Sequence, residues 1–106
     1  MSLNRYFRHT HAFKLLFLAQ KPAYGALLFK RFEEEMSFNL IDTPALYRAL
    51  NDLEKTKAIE SYWDTSKPGP AKKWYRITQK GMKKLAELQQ DIERRKQDLD
   101  FFSRNL

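Results

Sequence analysis

The stretch that decides the fold is TPALYRALNDLEKTKAIESYW, Thr43 to Trp63. It opens with a helical pattern, since leucines recur every three or four residues at Leu46, Leu50 and Leu53. Thr43 is suited to cap this helix, and Pro44 suits the first helical position, where its missing N–H costs nothing. From Ile59 the chain is rich in aromatic and β-branched residues, which favour a strand. The stretch therefore predicts a helix that runs directly into a strand.

The side of this helix that faces away from the leucines is a candidate binding surface. It carries small residues, one tyrosine and one arginine, in the set Thr43, Pro44, Ala45, Tyr47, Arg48 and Asn51. Small residues let a helix approach a partner closely, and Arg48 can make paired hydrogen bonds to the edge of a guanine. An ordinary amphipathic helix with one solvated side is the alternative interpretation.

A basic hairpin is predicted to follow the helix. The segments IESYWDT, Ile59 to Thr65, and KKWYRIT, Lys72 to Thr78, flank the strong turn signal SKPGPA. Its lysines are suited to contact phosphates without regard to sequence, and they are Lys67, Lys72 and Lys73. A solvated turn is the alternative, but no acidic residue lies between Lys67 and Lys84.

Two further helices are predicted upstream. Residues His9 to Gln20 are apolar on most sides, which is typical of a helix at the centre of a core. Lys21-Pro22-Ala23 ends it. The second helix, Tyr24 to Met36, has an apolar stripe that includes Leu28 and Phe32 at a spacing of four, and Ser37 to Asp42 forms a connector.

The chain is predicted to end in a long helix with an apolar seam. From Gln79 to the end there is no proline, and Thr78 can cap the helix. Apolar residues alternate at spacings of three and four, with one interruption at Arg95, in the series Leu85, Leu88, Ile92, Leu99, Phe102 and Leu106. Such a seam is typical of a dimer interface between helices. The alternative is that the helix folds back on the core of its own chain.

The net charge, the lack of cysteine and the length of the apolar runs limit the kinds of function that the protein can have. The chain of 106 residues has a formal net charge of +7, which raises the odds of a polyanionic partner. It contains no cysteine, so disulfides, thiolate metal sites and cysteine nucleophiles are excluded, and a cytoplasmic location fits. The apolar run Phe13 to Ala19 is too short to span a membrane. His9 and His11 alone, without a cysteine or a nearby carboxylate, are weak evidence for a metal site. No arrangement of serine, histidine and carboxylate suggests catalysis. We expect no cofactor, no metal and no enzyme activity.

The order of helix, helix, helix and hairpin predicts a winged helix-turn-helix, mainly α with a small β hairpin and a long C-terminal dimerisation helix. We expect residues 1–78 to form a DNA-binding unit and residues 79–106 the dimerisation helix of the same compact unit. In this design the third helix enters the major groove of double-stranded DNA, and a homodimer can read a pseudo-palindrome.

The sequence also resembles the PadR family of winged-helix transcriptional regulators, from about Phe13 to Ala86. The resemblance rests on three patterns in the right order and spacing. They are L-x-x-x-P-x-x-G (Leu18, Pro22, Gly25), L-Y-x-x-L-x-x-L (Leu46, Tyr47, Leu50, Leu53) and K-x-Y-x-I-T-x-x-G (Lys73, Tyr75, Ile77, Thr78, Gly81). Ala26 departs from the family, which often has a tyrosine there, and Ala58 stands where we align the glycine that closes the recognition helix.

The resemblance implies a repressor that dimerises through its C-terminal helix and binds a two-fold operator. Many members release DNA when a small phenolic or drug-like molecule binds near the dimer interface, so a small aromatic effector is a candidate partner. No effector residue carries over to Gln79–Leu106. Two rival functions are a roadblock resembling replication-terminator proteins, which share this helix order, and a winged-helix module that binds proteins.

Overall fold

The computed structural model describes residues 2–36 and 42–106, with residues 2–10 described by their backbone alone. Within these ranges lie four α-helices and three β-strands. They are α1 (Ser2–Gln20), β1 (Ala23–Tyr24), α2 (Gly25–Glu35), α3 (Thr43–Lys55), β2 (Ile59–Asp64), β3 (Lys72–Ile77) and α4 (Gln79–Arg104). The predicted fold class, mainly helical with a hairpin and a long last helix, is confirmed. Most of the predicted connector, residues 37–41, lies outside the described residues.

The sheet has one strand more than the hairpin. Its order is β1-β3-β2, and every pairing is antiparallel. The prediction treated Lys21-Pro22-Ala23 only as a break, because a strand of two residues is too short to show a period of its own. Ala23 pairs with Tyr75, so this short strand ties the start of α2 to the wing, the hairpin formed by β2, β3 and their turn.

The core forms where the three N-terminal helices, the sheet and the start of α4 meet. Its buried members include Leu15, Leu18, Leu28, Phe32, Leu46, Leu50, Leu53, Ile59, Tyr75 and Leu88. The leucine stripe predicted for α3 is therefore buried as expected. One charged side chain, Lys14, lies fully buried, with its Nζ 5.4 Å from the centroid of the Phe32 ring. Burial lowers the pKa of Lys14 to about 8, because it penalises the charged form.

Helix α3 is capped by Asp42, not by Thr43 as predicted. The Asp42 carboxylate accepts a hydrogen bond from the Ala45 backbone N–H at 2.8 Å, and its backbone is extended. Thr43 and Pro44 then occupy the first two helical positions, one later than predicted. Aspartate and threonine can both serve as N-caps. Pro44 is tolerated at the second helical position because the first N–H groups of a helix have no intrahelical acceptor.

At the C-terminal end of α3 the structure corrects a detail of the family alignment, which placed Ala58 at the position of the glycine that closes the recognition helix. The residue with left-handed backbone is Lys57 (φ 68°), not Ala58. The Ala58 N–H donates to the Leu53 carbonyl at 3.0 Å and the Lys57 N–H to the Glu54 carbonyl at 3.1 Å. This pair of bonds is the Schellman motif, in which glycine is the usual left-handed residue. A lysine there costs on the order of 1–2 kcal/mol in backbone strain.

Helix α4 starts against the end of α3. Thr78 caps it as predicted, since its Oγ1 accepts from the Gly81 N–H at 3.0 Å. The same hydroxyl donates to the Lys57 carbonyl at 2.6 Å. A Cβ atom at Gly81 would lie 2.0 Å from the carbonyl oxygen of Ala58, so only glycine fits this approach. The direction of α4 is therefore set by backbone contacts to the turn after α3.

Candidate nucleic-acid interface

The outward side of α3 is open to solvent. Of the six residues predicted to face DNA, five are exposed and Ala45 is half-buried; the exposed ones are Thr43, Pro44, Tyr47, Arg48 and Asn51. Opposite them, Leu46 and Leu50 anchor the helix in the core. The helix thus presents a short row of small and hydrogen-bonding side chains on a fixed support.

Tyr47 is held in place while 41% of it remains exposed. Its ring packs over the first residue of α2, so that a Cβ at Gly25 would lie 2.3 Å from the Tyr47 hydroxyl oxygen. Gly25 is therefore needed for a close contact between α2 and α3. This contact gives a physical reason for the glycine in the first sequence pattern.

The three lysines predicted for the wing have different surroundings. Lys67 is exposed in the turn, and Lys72 is exposed with its Nζ 4.3 Å from the centroid of the Tyr24 ring. Lys73 is half-buried, and its Nζ lies 3.4 Å from Oε1 of Glu54 on α3. Lys73 therefore already has an anionic partner within the chain, whereas Lys67 and Lys72 are open to solvent.

Glu54 joins the recognition side of α3 to both strands of the wing, and the sequence interpretation missed it. Its carboxylate accepts a hydrogen bond from the Ser61 hydroxyl on β2 and pairs with Lys73 on β3. The Ser61 hydrogen bond, aided by the charge of Lys73, lowers the pKa of Glu54. The available signal was the spacing of seven from Tyr47 to Glu54, which places both on one side of the helix.

The two tryptophans of the wing have different environments. Trp74 packs against Tyr24, with ring centroids 5.1 Å apart, and stacks on Tyr62 at 6.5 Å, as expected for aromatic residues on a hairpin. Trp63 lies outside this cluster, and 65% of its surface is exposed. Beside the aromatic cluster, Arg76 pairs with Glu60 at 2.7 Å.

A groove of about 310 Å³ lies between α1, α3 and α4. Its lining is mostly apolar with a polar rim, formed by His11, Leu15, Asp52, Leu53, Thr56, Lys84 and Leu88. At the rim, His11 Nε2 lies 3.9 Å from Asp52 Oδ2. Since Asp52 and Leu53 belong to α3 and Thr56 is its C-cap, the groove adjoins the back of the candidate DNA-binding helix.

The seam predicted along α4 divides in two. Leu88 is buried in the chain's own core, and Leu85 and Ile92 pack against that core. Farther along, the apolar side chains are exposed: Leu99 by 62%, Phe102 by 65% and Leu106 by 95%. Leu88 is thus unavailable to a second chain, and the open part of the seam is its C-terminal part.

Two other classes of site receive no support from the described parts of the chain. Among residues 2–36 and 42–106 no group of three or more histidines and carboxylates could hold a metal ion. None of the helices in these ranges has the length and hydropathy needed to cross a bilayer.

A match to a family model shows which family of proteins the chain belongs to. The model of the transcriptional regulator PadR-like family matches residues 15–87, which include the end of α1, helices α2 and α3, the wing and the start of α4. The chain belongs to the PadR-like family. Its members are transcriptional regulators, not enzymes, as the sequence interpretation expected.

Solved structures of PadR-family regulators have the same fold. One from Clostridium difficile R20291 has a TM-score of 0.78 and 25% identity, with 87% of this chain and 95% of that chain covered. A PadR-like regulator from Bacillus cereus ATCC 14579 has a TM-score of 0.77 and 26% identity, with 88% and 89% covered. Bacillus subtilis PadR, solved in complex with operator DNA, has a TM-score of 0.68 and 21% identity, with 74% of this chain and 45% of that chain covered.

Proposed function

We propose that this PadR-like chain is a cytoplasmic repressor that binds an operator in double-stranded DNA as a homodimer. The observation that carries the proposal is the exposed row on α3, Tyr47, Arg48 and Asn51, standing beside a lysine-bearing wing. The solved complex of Bacillus subtilis PadR with operator DNA supports it, because that chain shares this fold.

In the proposed complex the N-terminal half of α3 enters the major groove. Thr43, Pro44 and Ala45 are small enough to let the helix come close to the base edges. Arg48 reads a guanine through two parallel hydrogen bonds, and Asn51 is suited to an adenine. Tyr47, held over Gly25, contacts the phosphate backbone through its hydroxyl.

The wing supplies contacts that do not depend on sequence. Lys67 and Lys72 are exposed and free to approach phosphates. Lys73 is assigned to the backbone as well, and its pairing with Glu54 keeps its ammonium group close to α3. Lys73 therefore contributes less to the salt dependence of binding than the two exposed lysines.

The homodimer is proposed to form through the exposed end of α4. Leu99, Phe102 and Leu106 present apolar surface that the chain itself leaves uncovered. Burying an apolar side chain of this size stabilises an interface by roughly 1.5–3 kcal/mol. In a two-fold interface each residue is buried once from each chain, so several such contributions add to the stability of the dimer. Leu85 and Ile92, which are half-buried, lie at the inner edge of the same interface.

We also propose that a small aromatic effector regulates binding from the groove between α1, α3 and α4. Its volume of about 310 Å³ suits a small planar molecule. Leucine side chains can cover a ring, and Lys84 at the rim can pair with a carboxylate. Because Leu53 of α3 and its C-cap residue Thr56 line the groove, an occupant is able to shift the DNA-binding helix.

Binding to duplex DNA tests the proposed function. Fluorescence anisotropy at two salt concentrations compares random DNA with DNA from upstream of the chain's own gene. We expect tighter binding to the upstream DNA and a steep salt dependence for both. No binding at low salt overturns the proposal in favour of a module that binds proteins. Equal binding, with occupancy at replication-terminus repeats rather than at promoters, favours the roadblock.

Arg48→Ala tests base reading. It should weaken binding to the upstream DNA by ~1–3 kcal/mol while random DNA is affected less. Arg94→Ala, on the exposed surface of α4, is the control with the same change of charge and should leave both affinities unaltered. An equal loss on both DNAs for Arg48→Ala would show that this residue contacts phosphate only.

A panel of planar phenols and aromatic carboxylic acids tests the effector site. An active compound should raise the melting temperature of the chain and weaken its binding to the upstream DNA. Lys84→Met should reduce the effect of carboxylic acids, whereas Lys80→Met, outside the groove, should not. If no compound alters melting or DNA binding, regulation by a small aromatic molecule is contradicted.

A further inference from the structure

Among the side chains that the structure describes, Trp63 is the most exposed aromatic one outside α4, and neither the core nor the aromatic cluster of the sheet accounts for it. In the described part of the chain the other tryptophan, Trp74, is half-buried between Tyr24 and Tyr62. Trp63 leaves 65% of its surface in solvent. A large apolar ring held on a strand in this way gains little from folding, which points to a partner.

The pairing of the strands shows which side of the wing carries Trp63. Side chains two residues apart on a strand share a face, so Trp63 lies on the same face as Ser61. Ser61 donates a hydrogen bond to Glu54 of α3. Lys73, directly opposite Trp63 on β3, also pairs with Glu54. Trp63 therefore lies on the face of the sheet that α3 packs against.

Along β2, Trp63 lies nearer the turn than Ser61, the residue of this strand that contacts α3. Ser61 touches Glu54, whereas Trp63 stands two residues nearer the turn and leaves 65% of its surface exposed. Its exposed ring therefore lies on the α3 side of the wing, nearer the turn than the contact between Ser61 and Glu54. Glu54 holds both neighbouring strands, so the position of the ring relative to α3 is fixed.

We propose that Trp63 packs against the sugar-phosphate backbone of DNA, between the recognition helix and the wing. The flat indole covers the apolar face of a deoxyribose, and its N–H can donate to a phosphate oxygen. The wing as a whole favours a polyanion, since Lys67 lies in its turn and Lys73, paired with Glu54, lies directly opposite Trp63, whereas Lys72 lies on the other face beside Tyr24. This inference rests on the proposed DNA binding and adds a contact residue to it.

The two tryptophans allow a direct optical test on the full chain. Trp74→Phe leaves Trp63 as the only tryptophan, and Trp63→Phe leaves Trp74, so excitation selective for tryptophan reports one ring in each variant. Duplex DNA should change the emission of Trp63 and protect it from quenching by acrylamide. The emission of Trp74, on the opposite face of the sheet, should change little. Anisotropy of labelled DNA in the same samples shows whether the duplex is bound.

Affinity gives the second readout. Trp63→Ala should weaken binding to upstream and random DNA alike, by roughly tenfold, because a sugar contact carries no sequence information. The salt slope should stay unchanged, since no charge is lost. Tyr62→Ala, at the adjacent position on the other face, is the matched control and should change the affinity by less than about twofold.

The outcomes separate this inference from the proposed function. If DNA binds while the emission, quenching and affinity of Trp63 variants match those of the controls, Trp63 lies outside the interface and the proposed function stands. If the unaltered chain binds no duplex at low salt, both fail. Protection of Trp63 together with a uniform loss of affinity in Trp63→Ala supports the assignment.

Discussion

The two halves of α4 share one apolar pattern but lie in different surroundings. In residues 79–92 the apolar side chains of the seam, Leu85, Leu88 and Ile92, pack on the chain's own core, with Leu88 only 3% exposed. In residues 93–106 they stand in solvent, and Phe102 is 65% exposed. Meanwhile Lys14, a charged residue of α1, is fully buried. Burial in this molecule thus follows position in the fold more closely than residue type.

The reason lies in the size of the core compared with the length of the helix. Helix α4 has 26 residues, which at ~1.5 Å per residue is about 39 Å. Helix α1 and the end of α3 cover its first half, where Gly81 brings it against Ala58. The remainder of the helix extends beyond the compact part of a molecule that is 57 Å long. A second chain is the proposed cover for it.

The largest effect is expected from truncating the two halves separately. Leu88→Ala should lower the free energy of unfolding by ~2–5 kcal/mol, because it leaves a cavity in the core. Leu99→Ala should leave the stability of the monomer within about 0.5 kcal/mol. Chemical denaturation at several protein concentrations separates the two. If unfolding depends on protein concentration in the unaltered chain and in Leu88→Ala but not in Leu99→Ala, the division between the two halves of α4 is supported. Equal losses of unfolding free energy in both variants would contradict it.

Lys14 makes the stability of the covered region depend on pH. Its pKa is about 8 in the folded chain, against 10.5 for an ordinary lysine, so the unfolded chain binds more protons between these values. Stability from this group should therefore rise as the pH increases from about 8 to about 10.5, by on the order of 3 kcal/mol. Below pH 8 the full penalty of burying the charge remains.

Thermal unfolding across this pH range checks the expectation. Lys14→Met keeps the length of the side chain and should remove this part of the pH dependence. Lys30→Met, at an exposed position on α2, is the control and should keep it. Parallel pH profiles for all three proteins would contradict the lowered pKa of Lys14.

The start of α4 should tolerate no side chain at Gly81. Gly81→Ala places a Cβ against the Ala58 carbonyl oxygen, and the shift needed to relieve this contact should cost ~1–3 kcal/mol. Met82→Ala, at the exposed neighbouring position, should change the stability by less than about 0.5 kcal/mol. If Gly81→Ala is as stable as the unaltered chain, the close approach does not fix the direction of α4.

The smallest effect is expected at the turn that α4 packs against. Lys57→Gly should raise the stability by about 1 kcal/mol, because glycine adopts the left-handed backbone without strain. Lys57→Ala is the control, since it shortens the side chain and keeps the strain. Urea denaturation distinguishes them. Equal stabilities of the glycine and alanine variants would show that the backbone of Lys57 is not strained.

Local features of the fold could be read from the sequence. The spacing of Leu46, Leu50 and Leu53 gives the buried side of α3, and Thr78 caps α4, because both depend on neighbouring residues alone. The cap at Asp42 was missed because Thr43 is an equally good candidate, and β1 because two residues show no period. The first error concerns the boundary of an element, and the second concerns an element too short to show a pattern.

The candidate site was harder to predict, because it depends on contacts between distant segments. Arg48 and Asn51 are exposed as expected from the helical pattern, but Glu54 acquires its role only when Ser61 and Lys73 are folded against it. The sequence pattern of β2 likewise did not show that Trp63 would be left 65% exposed. A periodic pattern identifies the apolar side of α4 and leaves open which chain covers it.

Sedimentation equilibrium of the full chain and of a variant with both Leu99→Glu and Phe102→Glu is the most direct test of this division of α4. We predict that the unaltered chain is a dimer and that the variant is a monomer whose circular dichroism and core stability are those of a folded chain. A monomer for the unaltered chain at all concentrations, or a dimer that survives both substitutions, would contradict the assignment of the outer half of α4 to a second copy.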